Sequence, residues 1–206
     1  MIEAKALVAW GVALTFRWLA PATPAEATLR EAIVTDVVDV ALDPWEEPLP
    51  GVPPCVPQNC GIAPLAARAW TVAQVLAIMR YEGEFRVSVD EGAKRSTTGA
   101  VCEMQVMVPR GTRILLTTDA YLLPTRGQAG YAEGWSADDL VPGSVPGRRE
   151  RCIRAGLHVA RESFRICRSL SLYTHGDCRP DPAARHRELL AREGFRRYPP
   201  PVEASN

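Results

Sequence analysis

Tyr81-Glu-Gly-Glu-Phe85 closes an apolar run that begins at Leu65: Leu-Ala-Ala-Arg-Ala-Trp-Thr-Val-Ala-Gln-Val-Leu-Ala-Ile-Met-Arg-Tyr81. The run is apolar almost all round, which predicts a helix buried at the centre of the fold. Glu82 falls at its C-terminal end. The helix dipole is negative there and disfavours a carboxylate anion, and burial acts in the same direction. The position therefore favours the proton-carrying form that a general acid needs. A second marker follows, Gly99-Ala-Val-Cys-Glu-Met-Gln-Val106. Residues 101–108 read as a short strand, on which Glu103 and Met104 alternate in facing. Glu84, two residues beyond Glu82, points to a different face and is the rival acid.

Outward from this centre the chain is mostly helical. Thr23-Pro-Ala-Glu26 is a helix start, with Thr at the N-cap, Pro at the first helical position and Glu26 completing a capping box. Leu29, Ile33, Val37, Val40 and Ala41 keep helical spacing to about Leu42, and Pro44 ends the run. Residues 43–64 are Pro-rich and read as a loop, residues 86–99 as a polar loop, and residues 110–150 as turn-rich. Ile153, Leu157, Ala160, Phe164 and Cys167 mark a helix over about 150–170. A last helix from about Pro182 to Glu193 ends at Gly194, read as its C-cap. The fold class is α+β, mostly α, with a small β element beside the candidate site. Residues 28–197 form one domain, residues 198–206 a Pro-rich tail, and residues 1–27 an apolar N-terminal segment. That segment is either a signal peptide, cleaved near Ala25-Glu-Ala27, or a first helix packed on the domain. It is too short to give a stable membrane span.

The chain of 206 residues is 47% hydrophobic and 23% charged with zero formal net charge. This is ordinary globular composition and gives no support for a nucleic-acid partner. The charge is segregated. The first sixty residues are acidic, and residues 148–197 carry Arg148, Arg149, Arg151, Arg154, Arg161, Arg165 and Arg168. These arginines are either a solvated helix face or a basic surface for an anionic polymer. Six cysteines fit disulfides and an oxidising compartment. Cys55 with Cys60 and Cys167 with Cys178 can close short loops, leaving Cys102 and Cys152 as a long-range pair, although the count alone does not fix the pairing. There is no Cys-x-x-Cys pair, and His158, His175 and His186 are scattered, so no metal site is expected.

The order of motifs resembles the lysozyme-like superfamily, in its soluble lytic transglycosylase and goose-type lysozyme branch. That branch shows a helix ending in Glu-Ser-x-Phe, then Gly-x-x-Gly-Leu-Met-Gln-Ile, then Ala-Tyr-Asn-x-Gly. The counterparts here are Glu82-Gly-Glu-Phe85, Gly99-Ala-Val-Cys-Glu-Met-Gln-Val106 and Leu172-Tyr-Thr-His-Gly176. Gly134-Trp135 and Cys152-Ile-Arg-Ala-Gly-Leu157 resemble the helix between the last two motifs in divergent bacterial and phage members. The resemblance covers roughly residues 28–195. It departs from the pattern at Gly83 (for Ser), Cys102 (for Gly), Glu103 (for Leu) and Thr174 (for Asn).

The resemblance implies a lysozyme-like fold with a small β element beside the active-site cleft. It implies an enzyme that cleaves the β-1,4 bond between N-acetylmuramic acid and N-acetylglucosamine of the peptidoglycan glycan strand, as a lytic transglycosylase or a muramidase. Glu82 matches the catalytic acid, Met104 and Gln105 match positions lining the groove, Tyr173 matches a tyrosine near the catalytic carboxylate, and Gly83 stands at a substrate-positioning site. Glu103 reads as structural. No cofactor is implied. An inverting hydrolysis needs a second carboxylate about 6.5–9.5 Å from the acid to place water, and Asp90 and Glu91 are the candidates. The implied location is secreted, periplasmic or phage-associated, acting at the cell wall. The alternative is a non-catalytic wall-binding or virion structural module on the same fold.

Overall fold

The computed structural model describes residues 4–51, 63–94, 100–106, 135, 137–141, 145 and 147–201. These form eight helices: α1 (Ala4–Trp18), α2 (Pro24–Leu42), α3 (Ala63–Glu82), α4 (Val87–Asp90), α5 (Ala137–Leu140), α6 (Arg148–Cys167), α7 (Ser171–His175) and α8 (Pro182–Arg197). α3 is the central element. From Ala69 to Met79 every side chain is buried, and α1, α2 and α8 pack around it. The all-round apolar pattern of the sequence has this cause: a helix surrounded by others has no face to give to water.

Local signals set several boundaries. The Thr23 hydroxyl accepts from Glu26 N at 3.2 Å, and Glu26 Oε2 accepts from Ala22 N at 2.7 Å, so α2 starts where its caps place it. Asp181 caps α8 by accepting from Ala183 N and Ala184 N. α8 does not end at Gly194. It continues to Arg197, and Gly194 is interior to it. A Cβ on Gly194 would lie 2.7 Å from the Trp18 ring and 2.9 Å from Leu14, so this glycine serves close helix packing rather than chain reversal. Within the N-terminal apolar segment, Ala4–Trp18 is α1, whose Leu7, Trp10 and Leu14 are in the core. No helix among the described residues is long and apolar enough to cross a membrane.

The expected strand is not formed as one. Val101 and Val106 make an isolated antiparallel bridge around a tight turn, and no run of strand occurs among the described residues. Residues 107 and 108 lie outside the described set. The described structure is therefore mostly α, and the small β element is not seen in it. The turn also breaks the expected alternation: Glu103 and Met104 are both fully buried. Within the nominal 86–99 loop, Val87–Asp90 makes one short helix.

Charge segregated along the chain is brought together in space. Arg154 of α6 donates to Glu46 Oε1 at 2.6 Å and Asp43 Oδ2 at 2.8 Å, and Arg161 donates to Glu46 Oε2 at 2.5 Å. Arg149 donates to Asp90 at 2.8 and 2.9 Å and to Asp36 at 2.7 Å. Half of the α6 arginine run thus ties that helix to α2, to α4 and to the segment after α2. Arg165 and Arg168 are exposed and belong to the solvated face, while Arg148 and Arg151 are half-buried and Arg151 faces Asp139 at 3.9 Å. Two disulfides join Cys102 to Cys152 and Cys167 to Cys178. Cys55 and Cys60 lie outside the described residues.

Candidate active site

Glu82 is the last residue of α3. Behind it the chain folds into a tight connection in which Gly83 N and Glu84 N both donate to Met79 O at 3.0 Å. Glu84 and Phe85 then take left-handed φ values of 54° and 56°. Opposite stands the 101–106 turn, where Cys102 and Gln105 have φ of 60° and 48°. Four non-glycine residues in this sparsely populated region, gathered in two facing turns, are costly, and such strain clusters at functional sites. What holds it is burial on either side: Phe85 and Met104 are fully buried, and Cys102 is tied to α6 by its disulfide.

The two turns wall an open cavity of about 410 Å³. Glu82, Gly83 and Gln105 line it together, beside Glu84, Arg86 and Lys94. Three of the residues singled out from sequence are thus neighbours on one wall. Met104 is not among them. Its side chain turns into the core against Gly156, where an added Cβ would lie 2.7 Å from Met104 Cβ. It faces inward because the turn, unlike a strand, does not alternate. Tyr173, on α7, stands behind the wall. Its hydroxyl donates to Met104 O. Burial first, then the Glu82 charge, push its phenol well above the usual tyrosine range, against the pull of Arg187. Tyr173 therefore lies within electrostatic reach of Glu82 while bracing the turn that carries Gln105.

The surroundings of Glu82 are not the neutral ones its sequence position suggests. Arg187 Nη2 of α8 donates to Glu82 Oε1 at 2.6 Å. The same guanidinium donates to Ala183 O at 2.7 Å and stacks over the Tyr81 ring. Sequence reading missed Arg187, although a signal existed. The buried residues of α8 are Ala184, Arg187, Ala191 and Gly194, steps of three, four and three. An arginine in a stripe of small residues is placed to reach inward.

The candidate bases for hydrolysis are not on the cavity wall. Asp90 is buried and held by both arms of Arg149. Glu91 is exposed at the end of α4. Among the described residues lining the cavity the carboxylates are Glu82 and Glu84, and Glu84 is paired with Arg86. Among the described residues no cluster of His, Cys, Asp and Glu could hold a metal ion. Comparison with protein-family models, with curated proteins and with solved structures finds no match for this chain.

Proposed function

We propose that this chain is a peptidoglycan-cleaving glycosidase that acts on the bond between N-acetylmuramic acid and N-acetylglucosamine, with Glu82 as its single general acid and base. The observation that carries this reading is one carboxylate at the end of a buried helix, on the wall of an open cavity, beside Gln105 and with Tyr173 behind it. Glu82 would give its proton to the glycosidic oxygen as the bond from the muramic C1 breaks. As carboxylate it would then take the proton of the muramic C6 hydroxyl, whose oxygen closes on C1 to form the 1,6-anhydro ring. This route needs no second carboxylate, and Asp90 and Glu91 are badly placed to serve as one. It therefore fits the described wall better than an inverting hydrolysis does. Two disulfides agree with action outside the reducing cytosol.

The test is lysis of purified walls. The parent protein clears them, Glu82→Gln does not, and mass spectrometry finds anhydro-muropeptides. Clearing by Glu82→Gln at the parental rate overturns the assignment, and products with only reducing ends replace transglycosylation by hydrolysis. The bond from Arg187 favours a second reading, a wall-binding module without catalysis, because it occupies one oxygen of the acid. Saccharide binding by a parent protein that clears nothing supports that reading instead.

A further inference from the structure

A second carboxyl lies directly beneath the Glu82 turn. Glu103 is fully buried, and among the described residues neither of its oxygens has a hydrogen-bond partner. A Cβ added to Gly83 would collide with Glu103 Oε2 and lie 2.8 Å from the carboxyl carbon and 3.3 Å from Glu103 Cα. Gly83 does not have a positive φ. Glycine stands at 83 for space, and the carboxyl of Glu103 fills that space.

A buried carboxyl without partners is destabilising, and an apolar side chain of similar size would remove the cost. Its placement is specific. Glu103 belongs to the turn that carries Gln105 and sets its carboxyl against the Gly83 turn next to Glu82, and both Glu82 and Gln105 are on the cavity wall. The charged groups facing it are Asp90 of α4 and Arg149 of α6, the latter also held by Asp36 of α2. Burial first, then the charge of Asp90, push Glu103 up to about 8, against Arg149. Its carboxyl is thus uncharged at neutral pH. Above that value it becomes an anion packed against the Gly83 backbone and close to Asp90.

We propose that Glu103 is a positioning residue for Glu82: its carboxyl fills the side-chain space of residue 83 and fixes the Gly83–Phe85 turn against the Cys102–Gln105 turn. The proposal rests on the reading of Glu82 as the acid. It makes positions 83 and 103 a coupled pair, in which a side chain at 83 is tolerated only when the one at 103 shrinks.

The experiment uses the full chain with Gly83→Ala, Glu103→Ala, their combination and the near-isosteric Glu103→Gln. Wall lysis across pH is read together with the ¹³C resonance of the Glu82 carboxyl. Misplacing a catalytic group by about an ångström costs on the order of 100-fold in rate, so Gly83→Ala and Glu103→Ala each lose about that much. The double variant recovers most of the loss from Gly83→Ala. Parental lysis declines as pH rises through about 8, and Glu103→Gln, which keeps the shape without the ionisation, lacks that decline. Losses that multiply without rescue overturn the proposal, as does an alkaline decline unchanged in Glu103→Gln. If the parent protein clears no wall, the glycosidase reading falls. The resonance then decides the positioning claim: it moves with Gly83→Ala and returns in the double variant, or it stays fixed and the claim is lost.

Discussion

The Arg187 guanidinium of α8 meets the Glu82 carboxylate of α3 at 2.6 Å, joining residues 105 positions apart. Both groups are largely sheltered, with side-chain exposures of 9% and 19%. The pair therefore has consequences for the fold as well as the site. Glu82→Gln keeps an oxygen that can accept from Arg187, so that variant retains its fold. Arg187→Met removes the donor and leaves the carboxylate without it, at a cost of about 2 kcal/mol. Combined with Glu82→Gln, the loss is smaller than the sum of the two, because both changes remove one interaction. Urea denaturation of the four proteins reads the coupling. Strict additivity would mean that the two groups do not interact.

The Cys102–Cys152 bridge ties the strained 101–106 turn to α6, and it differs in consequence from Cys167–Cys178. Its sequence separation is 50, against 11 for the other. By loop-closure entropy, replacing both cysteines of a pair with Ala costs about 4 kcal/mol for the long loop and about 3 kcal/mol for the short one. Only the first loss reaches the cavity wall, through Cys102 and Gln105. On the proposed glycosidase activity, removal of the long-range bridge lowers wall lysis well beyond what the unfolded fraction explains, and removal of the short one tracks it. Equal specific activity in the two folded variants would separate the bridge from the site.

What the sequence disclosed and what it hid follow from the range of the forces involved. The α2 cap is written in Thr23 and Glu26 because capping is local. The burial of α3 is written in a run without a polar face. Gly194 misled, because a glycine past an apolar stripe reads as a stop, while the contact it serves comes from Trp18 and Leu14, far away in the chain. The strand expected at 101–108 failed for a related reason. Five of the six described residues at 101–106 are buried around a turn, so the apolar residues there answer to enclosure from all sides rather than to the two faces of a strand. Glu82, Gly83 and Gln105 meet on one wall as their local motifs suggest. Arg187 is announced only by its place in the small-residue stripe of α8, which gives its inward direction but not its partner, and the contact of Glu103 with Gly83 is written in no local pattern.

Glu46 gathers buried charge from two helices. It is fully enclosed and accepts from Arg154 and Arg161, while Arg68 of α3 donates to the backbone carbonyls of Ala41, Asp43 and Glu46. Glu46→Gln leaves two guanidinium groups without their shared counter-charge, and the expected loss is roughly 3–5 kcal/mol. Arg165 and Glu162 form an exposed pair on the same helix, and Arg165→Ala leaves the denaturation midpoint unchanged. If both substitutions shift the midpoint alike, the interior network is not what holds α6 to the segment after α2.

Two buried groups set opposing slopes on stability against pH. Glu103 is raised from 4.5 to about 8 by burial and Asp90, so the folded state holds its proton where the unfolded chain has lost it. Its contribution is complete below about 4.5, declines as pH rises and is gone above about 8. His158 is lowered from 6.5 to about 4, first by burial and then by Arg161, against Glu162. Its contribution is present above about 6.5 and is lost as pH falls toward 4. The slopes cancel between about 4.5 and 6.5, where the melting temperature is flat. From 6.5 to 8 Glu103 acts alone, and stability falls by up to about 2 kcal/mol. Glu103→Gln removes that fall and exposes a decline on acidification below 6.5. His158→Gln does the reverse, extending the Glu103 slope down to about 4.5. Calorimetric melting of the three proteins from pH 4 to 9 checks the assignment, and a parent curve that rises between 6.5 and 8 would overturn it.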